Sequence, residues 1–365
     1  MSEPFSPGRD SASFGHHFLV GLQPSPVLTD HDKRLLSALR PAGVVLFKDN
    51  FRHDLSYAEW LEIHARQVRE VRECIGRERI LVSIDHEGGR VLRTPEPITP
   101  FGPAALWADA ARSVGGAMGR ELRSLGVNLD FAPVADINLN RLNQVIGDRA
   151  LGTDAETVAG HAQEFLDGLE AERVLGCIKH FPGHGATESD SHDELPVVTS
   201  PLEVLREREF VPFRRLIERG VDLVMTAHIL FPGVDPDEPA TLSRRILEDV
   251  LRGELGYDGA VVTDDIGMRA IAERFREPPT AALALASGCD LISICAFLAD
   301  TSLALQIARN LCDSWSSGEI PTATLERSHG RIAALLERAP QHPVERLPVE
   351  TLSEHRHLAP LRGVR

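Results

Sequence analysis

The sequence predicts an α/β protein built as a single (βα)8 barrel of the TIM type. Three observations carry that expectation. Eight short apolar runs recur along the chain, helix-length amphipathic segments lie between them, and several of those segments end at a glycine just before the next run. The runs are near-continuous rather than alternating, as expected of parallel strands covered on both faces. Eight strand-helix repeats joined by right-handed crossovers close most simply as a barrel. An open doubly wound sheet would want a glycine-rich phosphate fingerprint after the first strand, and the sequence has none.

In chain order the strand candidates are 17–22, 43–47, 80–85, 127–132, 174–180, 221–226, 259–264 and 290–295. Helix candidates between them include 57–73, 106–125, 155–172, 202–219, 243–255 and 268–287, with Gly126, Gly176, Gly220 and Gly288 as expected C-terminal caps. The organisation that follows is a flexible N-terminus over residues 1–13, one catalytic barrel over 14–339 and a loosely packed C-terminal tail over 340–365. That tail alternates Pro, His, Arg and Glu without apolar periodicity.

Composition narrows the class. Of 365 residues, 42% are hydrophobic, enough for a large core. A formal net charge of -15 argues against a surface that holds nucleic acid or anionic membrane. No stretch approaches the roughly 20 apolar residues of a membrane span. The N-terminus carries Glu3 and Asp10 and lacks the basic segment and apolar run of a secretory signal. Five cysteines, an odd number without a CxxC, suit free thiols in a reducing compartment, so the cytoplasm is the expected location.

The stretch KHFPGHGATESDSH, Lys179 to His192, concentrates the chemistry. It holds three histidines, a lysine and two carboxylates, broken by Pro182, Gly183 and Gly185, directly after an apolar run. Such a span cannot be core, because its polar groups need partners or solvent. A polar loop leaving a buried strand is where α/β proteins place reactive groups. The other strand ends agree. Strand three runs into Asp85 and HEGGRVLR; strand four ends in FAPVAD with Asp136 and leads to IGDR with Arg149. Strand five supplies Lys179 and His180, strand six ends in TAH with His228, and strand seven ends in TDD with Asp264 and Asp265.

Strand alternation separates the last two acids. With Ala260 and Val262 facing inward, Asp264 points into the mouth, whereas Asp265 falls on the other side as a structural N-cap for a helix near Ile266. A mouth of Asp, Arg, Lys and His with few aromatics suits a small polyhydroxylated ligand, since carboxylates accept from sugar hydroxyls and Lys or Arg donates to them. Cleaving a glycosidic bond requires one group to protonate the leaving oxygen and another to attack the anomeric carbon. Asp85, Glu87, Asp136 and Asp264 could each attack, and spacing alone does not choose.

These residues resemble glycoside hydrolase family 3, and within it the single-domain bacterial beta-N-acetylhexosaminidases. The resemblance rests on IDHEGGRVLR at 84–93, FAPVAD at 131–136, IGDR at 146–149, KHFPGHG at 179–185, DSH at 190–192, TAHI at 226–229 and TDDIGM at 263–268. KHFPGHG followed by DSH is the most specific of these, and together they cover the chain from about Gly43 to Cys295.

The resemblance implies a retaining hydrolase that removes terminal N-acetylglucosamine from peptidoglycan-derived fragments, a muropeptide or a disaccharide, with neither cofactor nor metal. In it Asp264 is the nucleophile, His192 the general acid/base and Asp190 its partner. Asp85, Arg93, Arg149, Lys179 and His180 grip the terminal sugar, and His184 and His228 either brace loops or touch sugar. An imidazole with an ordinary pKa of about 6.5 can both give and take a proton near neutrality. The motif TDDIGM stands where many relatives have SDDL at its start, and the loop between Asp136 and Ile146 has its own sequence.

Three alternatives use the same residues. A metal-dependent barrel hydrolase would take His180, His184, His192, His228 and Asp264 as ligands. A phosphorylase would keep the glycosyl-enzyme and let phosphate attack it, and a silent sugar-binding protein would bind without turnover. Arg93 and Arg149 also fit as ion-pair partners at the rim. Oligomeric state is not encoded in any of these signals.

Overall fold

The computed structural model describes residues 11–140, 143–187, 194–295 and 300–358. Eight parallel strands form one sheet: β1 (Phe18–Gly21), β2 (Gly43–Leu46), β3 (Leu81–Ile84), β4 (Leu129–Asp130), β5 (Leu175–Phe181), β6 (Leu223–Thr226), β9 (Ala260–Thr263) and β10 (Ile292–Ile294). Their order is β10-β1-β2-β3-β4-β5-β6-β9. The ring closes between β9 and β10 through a parallel bridge from Val262 to Leu291, with Leu291 N donating to Val261 O and Thr263 N to Leu291 O, both at 2.9 Å. This is the expected barrel, and each strand lies within its expected run except that β5 reaches Phe181.

Both faces of the strands are apolar, which is why the runs do not alternate. Leu19, Val45, Leu81, Leu129, Leu175, Cys177, Leu223, Met225, Ala260 and Val262 fill the interior. Their neighbours Val44, Val82 and Ile84 face one part of the helical layer, and Val20, Ile178, Val224, Val261, Ile292 and Ile294 another. β4 is the shortest strand of the barrel sheet, and Pro133, three residues beyond its end, has no N–H to give the ladder. Pairing resumes beyond it, where Val134 bridges Lys179 and Ala135 N donates to Lys179 O at 2.8 Å. A short antiparallel hairpin, β7 (Leu230–Phe231) with β8 (Asp235–Pro239), interrupts the connection from β6 to β9.

The helical layer begins with α1 (Asp30–Leu39), capped by Thr29 and Asp32 in a reciprocal capping box, then α2 (Tyr57–Ile75), α3 (Ala111–Ser124) and α4 (Ala155–Ala171). Two expected single helices are split by proline. The 202–219 segment becomes α5 (Leu202–Glu207) and α6 (Phe210–Arg219), because Pro212 would meet the carbonyl of Arg208 in a continuous helix. The 268–287 segment becomes α7 (Ala272–Arg276) and α8 (Pro278–Ser287), which starts afresh with proline in its first turn. Residues Arg245–Glu254 form a wider helix with i→i+5 bonding. Gly126, Gly220 and Gly288 end helices with positive φ, as expected. Gly176 does not: it lies inside β5, where a Cβ would sit 2.2 Å from Leu166 Cδ2, and the turn before it is made by Arg173 at φ 60.

Three helices complete the chain: α9 (Leu303–Ser316), α10 (Thr322–Arg338) and α11 (Val349–Arg356). α10 lays Ile332 and Leu335 into the interior cluster beside Leu81 and Ala42, at the base of the barrel. Each such buried side chain contributes roughly 1.5–3 kcal/mol. The segment expected as a loose tail is packed as far as it is described. Val344 bridges Leu125, Gln341 Nε2 donates to Ile80 O at 2.9 Å, and His355 Nδ1 lies 2.8 Å from the buried Glu121 carboxylate. Residues 1–10 and 359–365 lie outside the described residues. Among the described residues no helix is long and apolar enough to cross a membrane.

Candidate active site

Strand polarity puts the carboxyl ends of all eight strands at one mouth, and the charged residues of the motifs meet there. Leu175, Cys177 and Lys179 alternate onto the interior face of β5, so Lys179 emerges inside the barrel and its side chain is only 2% exposed. A buried ammonium must be paired. It is paired twice, to Asp85 Oδ1 at 2.7 Å and to Glu87 Oε1 at 2.5 Å. Glu87 in turn accepts two bonds from Arg149, Nε to Oε2 and Nη2 to Oε1, both at 2.8 Å. Burial alone would lower the Lys179 pKa and raise that of Glu87. The opposite charges overturn both tendencies and keep Lys179 protonated and Glu87 ionised across the physiological range. Asp85 is the most exposed member of the chain, its side chain 21% accessible, and so the one that can turn an oxygen to a ligand.

A second network holds the imidazoles. The Asp136 carboxylate, 1% exposed, accepts from the main-chain N of His180, from the main-chain N of His184 at 2.6 Å and pairs with His180 Nδ1 at 2.6 Å. Burial pushes the Asp136 carboxyl up, but the His180 ring and these bonds outweigh it, and the net shift is down. With Nδ1 occupied, His180 has Nε2 left for the mouth. His184 pairs through Nδ1 with Thr187 Oγ1 at 2.8 Å, and burial lowers its pKa to about 4, so it is neutral at pH 7. The turn carrying it presses against the preceding loop so closely that a Cβ on Gly185 would sit 1.7 Å from Ile137 O. Only glycine fits there.

The twin acids after β9 separate as alternation predicts. Ala260 and Val262 belong to the interior cluster, and Asp264 N continues the ladder to Thr226 O at 3.3 Å. Burial would raise the Asp264 carboxyl, yet the His180 and His228 rings, the Asp265 N–H and the Lys179 ammonium more than offset it, so Asp264 is ionised at neutrality. Asp265 Oδ1 instead accepts from Gly267 N at 2.9 Å and Cys295 N at 3.2 Å, and burial raises its pKa to about 7. It caps a turn rather than a helix, since α7 begins only at Ala272. His228 donates from Nε2 to Asp265 O at 3.1 Å and meets Thr241 Oγ1 through Nδ1 at 2.7 Å, so it braces the loop that carries both acids.

Of the sequence-derived site residues, Asp85, Lys179, Arg149, His180, His184, His228 and Asp264 are brought to the mouth. The Arg93 guanidinium stacks over the Phe47 ring, 5.5 Å from its centroid. Asp190 and His192 lie outside the described residues. Arg149, weighed as an ion-pair partner or a sugar contact, forms the ion pair. Two residues do more than the motifs suggested: Glu87 links the two cations, and Asp136 organises two imidazoles. The i, i+2 spacing of Asp85 and Glu87 was the signal for the first. Among the described residues no group of three or more His, Cys, Asp or Glu side chains is disposed to hold a metal ion.

The closed parallel barrel brings an ionised strand-end aspartate and a buried lysine-carboxylate-arginine chain to one mouth, an arrangement suited to a hydroxyl-rich substrate. The chain belongs to glycoside hydrolase family 3: residues 22–335 match the glycosyl hydrolase family 3 N-terminal domain. It is 36% identical over 279 residues to a beta-hexosaminidase of Chromobacterium violaceum, covering 73% of this chain and 75% of that protein. It is also 36% identical over 324 residues to one of Thiobacillus denitrificans, covering 84% of each. Among solved structures it resembles a family 3 beta-N-acetylglucosaminidase from Paenibacillus sp. FPU-7, with TM-score 0.85 and 34% identity over 95% of this chain and 68% of that one. It also resembles Neisseria gonorrhoeae NagZ in complex with N-trifluoroacetyl-D-glucosamine, with TM-score 0.73 and 28% identity over 94% and 98%.

Proposed function

We propose that this protein is a retaining exo-beta-N-acetylglucosaminidase acting on N-acetylglucosamine-terminated peptidoglycan fragments in the cytoplasm. The observation that carries the reading is Asp264: an ionised carboxylate at the end of β9, aimed into the mouth and within the field of His180, His228 and Lys179. In the first step its oxygen bonds C1 of the sugar as the glycosidic C–O bond breaks, and His192 gives its proton to the leaving oxygen. In the second, water loses a proton to His192 and its oxygen displaces Asp264 from C1, which restores both groups. Asp190 orients and charges the His192 ring. The usual retaining arrangement has two carboxylates about 5 to 5.5 Å apart, and here an imidazole takes the place of the second.

Substrate binding falls to the two buried networks. Asp85, Lys179 and Arg149 present acceptor and donor groups to hydroxyls, His180 Nε2 adds a further group, and Arg93 stands at the Phe47 side of the mouth. The names of the related enzymes and the amino-sugar analogue bound to the Neisseria protein support N-acetylglucosamine as the glycon. Five free cysteines suit a reducing compartment.

The test follows hydrolysis of an aryl N-acetyl-beta-glucosaminide, with and without phosphate, by proton NMR. The expected first product is the beta anomer of free N-acetylglucosamine. An alpha anomer would overturn the retaining mechanism, and sugar phosphate formed in place of free sugar would make the enzyme a phosphorylase.

A further inference from the structure

Asn143 lies in the loop between Asp136 and Ile146, a stretch to which the motifs assign nothing. Its side chain is 3% exposed and uses all the hydrogen-bonding capacity that reaches it. Nδ2 donates to His184 O at 3.0 Å and to Thr187 Oγ1 at 3.1 Å, while Oδ1 accepts from Val145 N at 2.9 Å and Ile146 N at 3.0 Å. The two acceptor bonds shape the loop that delivers Arg149, whose Nη1 donates to Val145 O at 2.9 Å and whose main-chain N donates to Ile146 O at 2.9 Å. The two donor bonds fasten the turn 184–187. Thr187 is itself 1% exposed, pairs with His184 Nδ1, and is the residue directly before the segment that carries Asp190 and His192.

We infer that Asn143 is a positioning residue that ties the arginine end of the sugar-binding network to the root of the acid/base segment. It touches neither reacting atom. The inference rests on the reading that His192 supplies the proton. Through Arg149 the bridge reaches Glu87 and Lys179; through His184 it reaches Asp136 and His180. One buried amide thus bonds both the Arg149 loop and the Thr187 hydroxyl, and Asn140 of the same loop adds a bond from its Nδ2 to Thr187 O at 3.3 Å. On the reading that His192 supplies the proton, a misplacement of about 1 Å in a catalytic group costs ~100-fold in rate for substrates that need protonation. Substrates with an activated phenol, which need little protonation, would be spared.

The experiment compares wild type, Asn143→Ala, Thr187→Val, Thr187→Ser, the Asn143→Ala/Thr187→Val double variant and His192→Ala. Each is assayed on an alkyl and on a nitrophenyl N-acetyl-beta-glucosaminide. Asn143→Ala and Thr187→Val are expected to lower kcat/KM for the alkyl substrate on the order of 10-fold to 100-fold more than for the nitrophenyl one. Thr187→Ser, which keeps the hydroxyl, should stay near wild type, and the double variant should be no worse than Asn143→Ala alone. Equal losses on both substrates, or additive losses in the double variant, would overturn the inference. Should Asn143→Ala fail to fold, the valine and serine variants at Thr187 carry the same test. If His192→Ala itself shows no difference between substrates, the acid/base reading has failed instead.

Discussion

The barrel holds histidines at both ends, and the two groups are treated differently. At the mouth, His180 is held by the Asp136 carboxylate, His184 by the Thr187 hydroxyl, and His228 by the Thr241 hydroxyl and the Asp265 carbonyl. At the base, before β1 and on α10, the rings pack on each other. His16 lies 4.0 Å from His17 and 4.8 Å from His329 between centroids, and His17 Nδ1 meets the Asp290 carbonyl at 2.9 Å. Burial lowers the His17 pKa to about 4, and the nearby His329 and Arg77 add to the effect. Of the mouth rings His180 is the one held by an ionised group, and such a ring is oriented for proton and hydrogen-bond work; the base rings, packed on one another, fill space as small aromatics. Histidine density alone does not mark a site; the partner does.

The sharpest break in that comparison is expected at Asp136. Replacing it by Ala frees two imidazole-bearing turns at once, and kcat/KM for an aryl N-acetyl-beta-glucosaminide should fall on the order of 10³-fold, as when a preorganised polar group is removed. His329→Gln at the base should leave kcat/KM within about twofold. Near-equal effects in the two variants would erase the distinction.

Glu87→Gln comes next. It leaves the buried Lys179 and Arg149 sharing one carboxylate fewer, and loss of one partner from a buried ion pair costs about 3–5 kcal/mol. Denaturant unfolding should report a loss near the lower figure, since the amide still accepts a hydrogen bond, together with a higher KM. An unchanged unfolding midpoint would refute the pairing.

The base group carries a pH signature that it shares with other buried histidines. His17 titrates near 4 in the folded chain and near 6.5 when unfolded, so between those values the unfolded chain binds more protons. Stability is therefore full above pH 6.5 and falls as pH drops from 6.5 towards 4. His64, His86 and His184, also lowered to about 4, act in the same direction. Replacing His17 by Gln should flatten that fall by up to about 3 kcal/mol without altering the pH-rate profile at the mouth. A profile that moved with the base variant would show the two groups to be coupled.

The smallest effect belongs to the ion pairs outside the barrel. Arg112 pairs with Glu164 between α3 and α4 with side chains 58% and 47% exposed. Removing it should leave both the unfolding midpoint and the activity unchanged within the scatter of the assay, because exposed pairs are screened by solvent.

The sequence made the strands and the division of labour between Asp264 and Asp265 readable, because both follow from a two-residue period acting on a barrel with apolar faces inside and out. Pro212 and Pro278 mark the helix breaks in the sequence, because a proline is tolerated only in the first turn of a helix. The partners of Lys179 were half readable, since Asp85 and Glu87 fall on one face, but that Arg149 would join them depends on a loop without periodicity. The same loop hides Asn143, whose role exists only once residues 143 and 187 are side by side. The segment 340–358 looked loose for a similar reason: its anchors at Leu125, Ile80 and Glu121 are more than two hundred residues away in sequence. Local pattern cannot encode a distant partner.

The assignment of Asp264 is tested most directly by incubating the enzyme with a slow fluorinated N-acetylglucosaminide and locating the trapped sugar by peptide mass spectrometry. The account predicts a single ester on the peptide containing Asp264. A sugar on Asp85, Glu87 or Asp136, or turnover with no covalent adduct on any carboxylate, would contradict it.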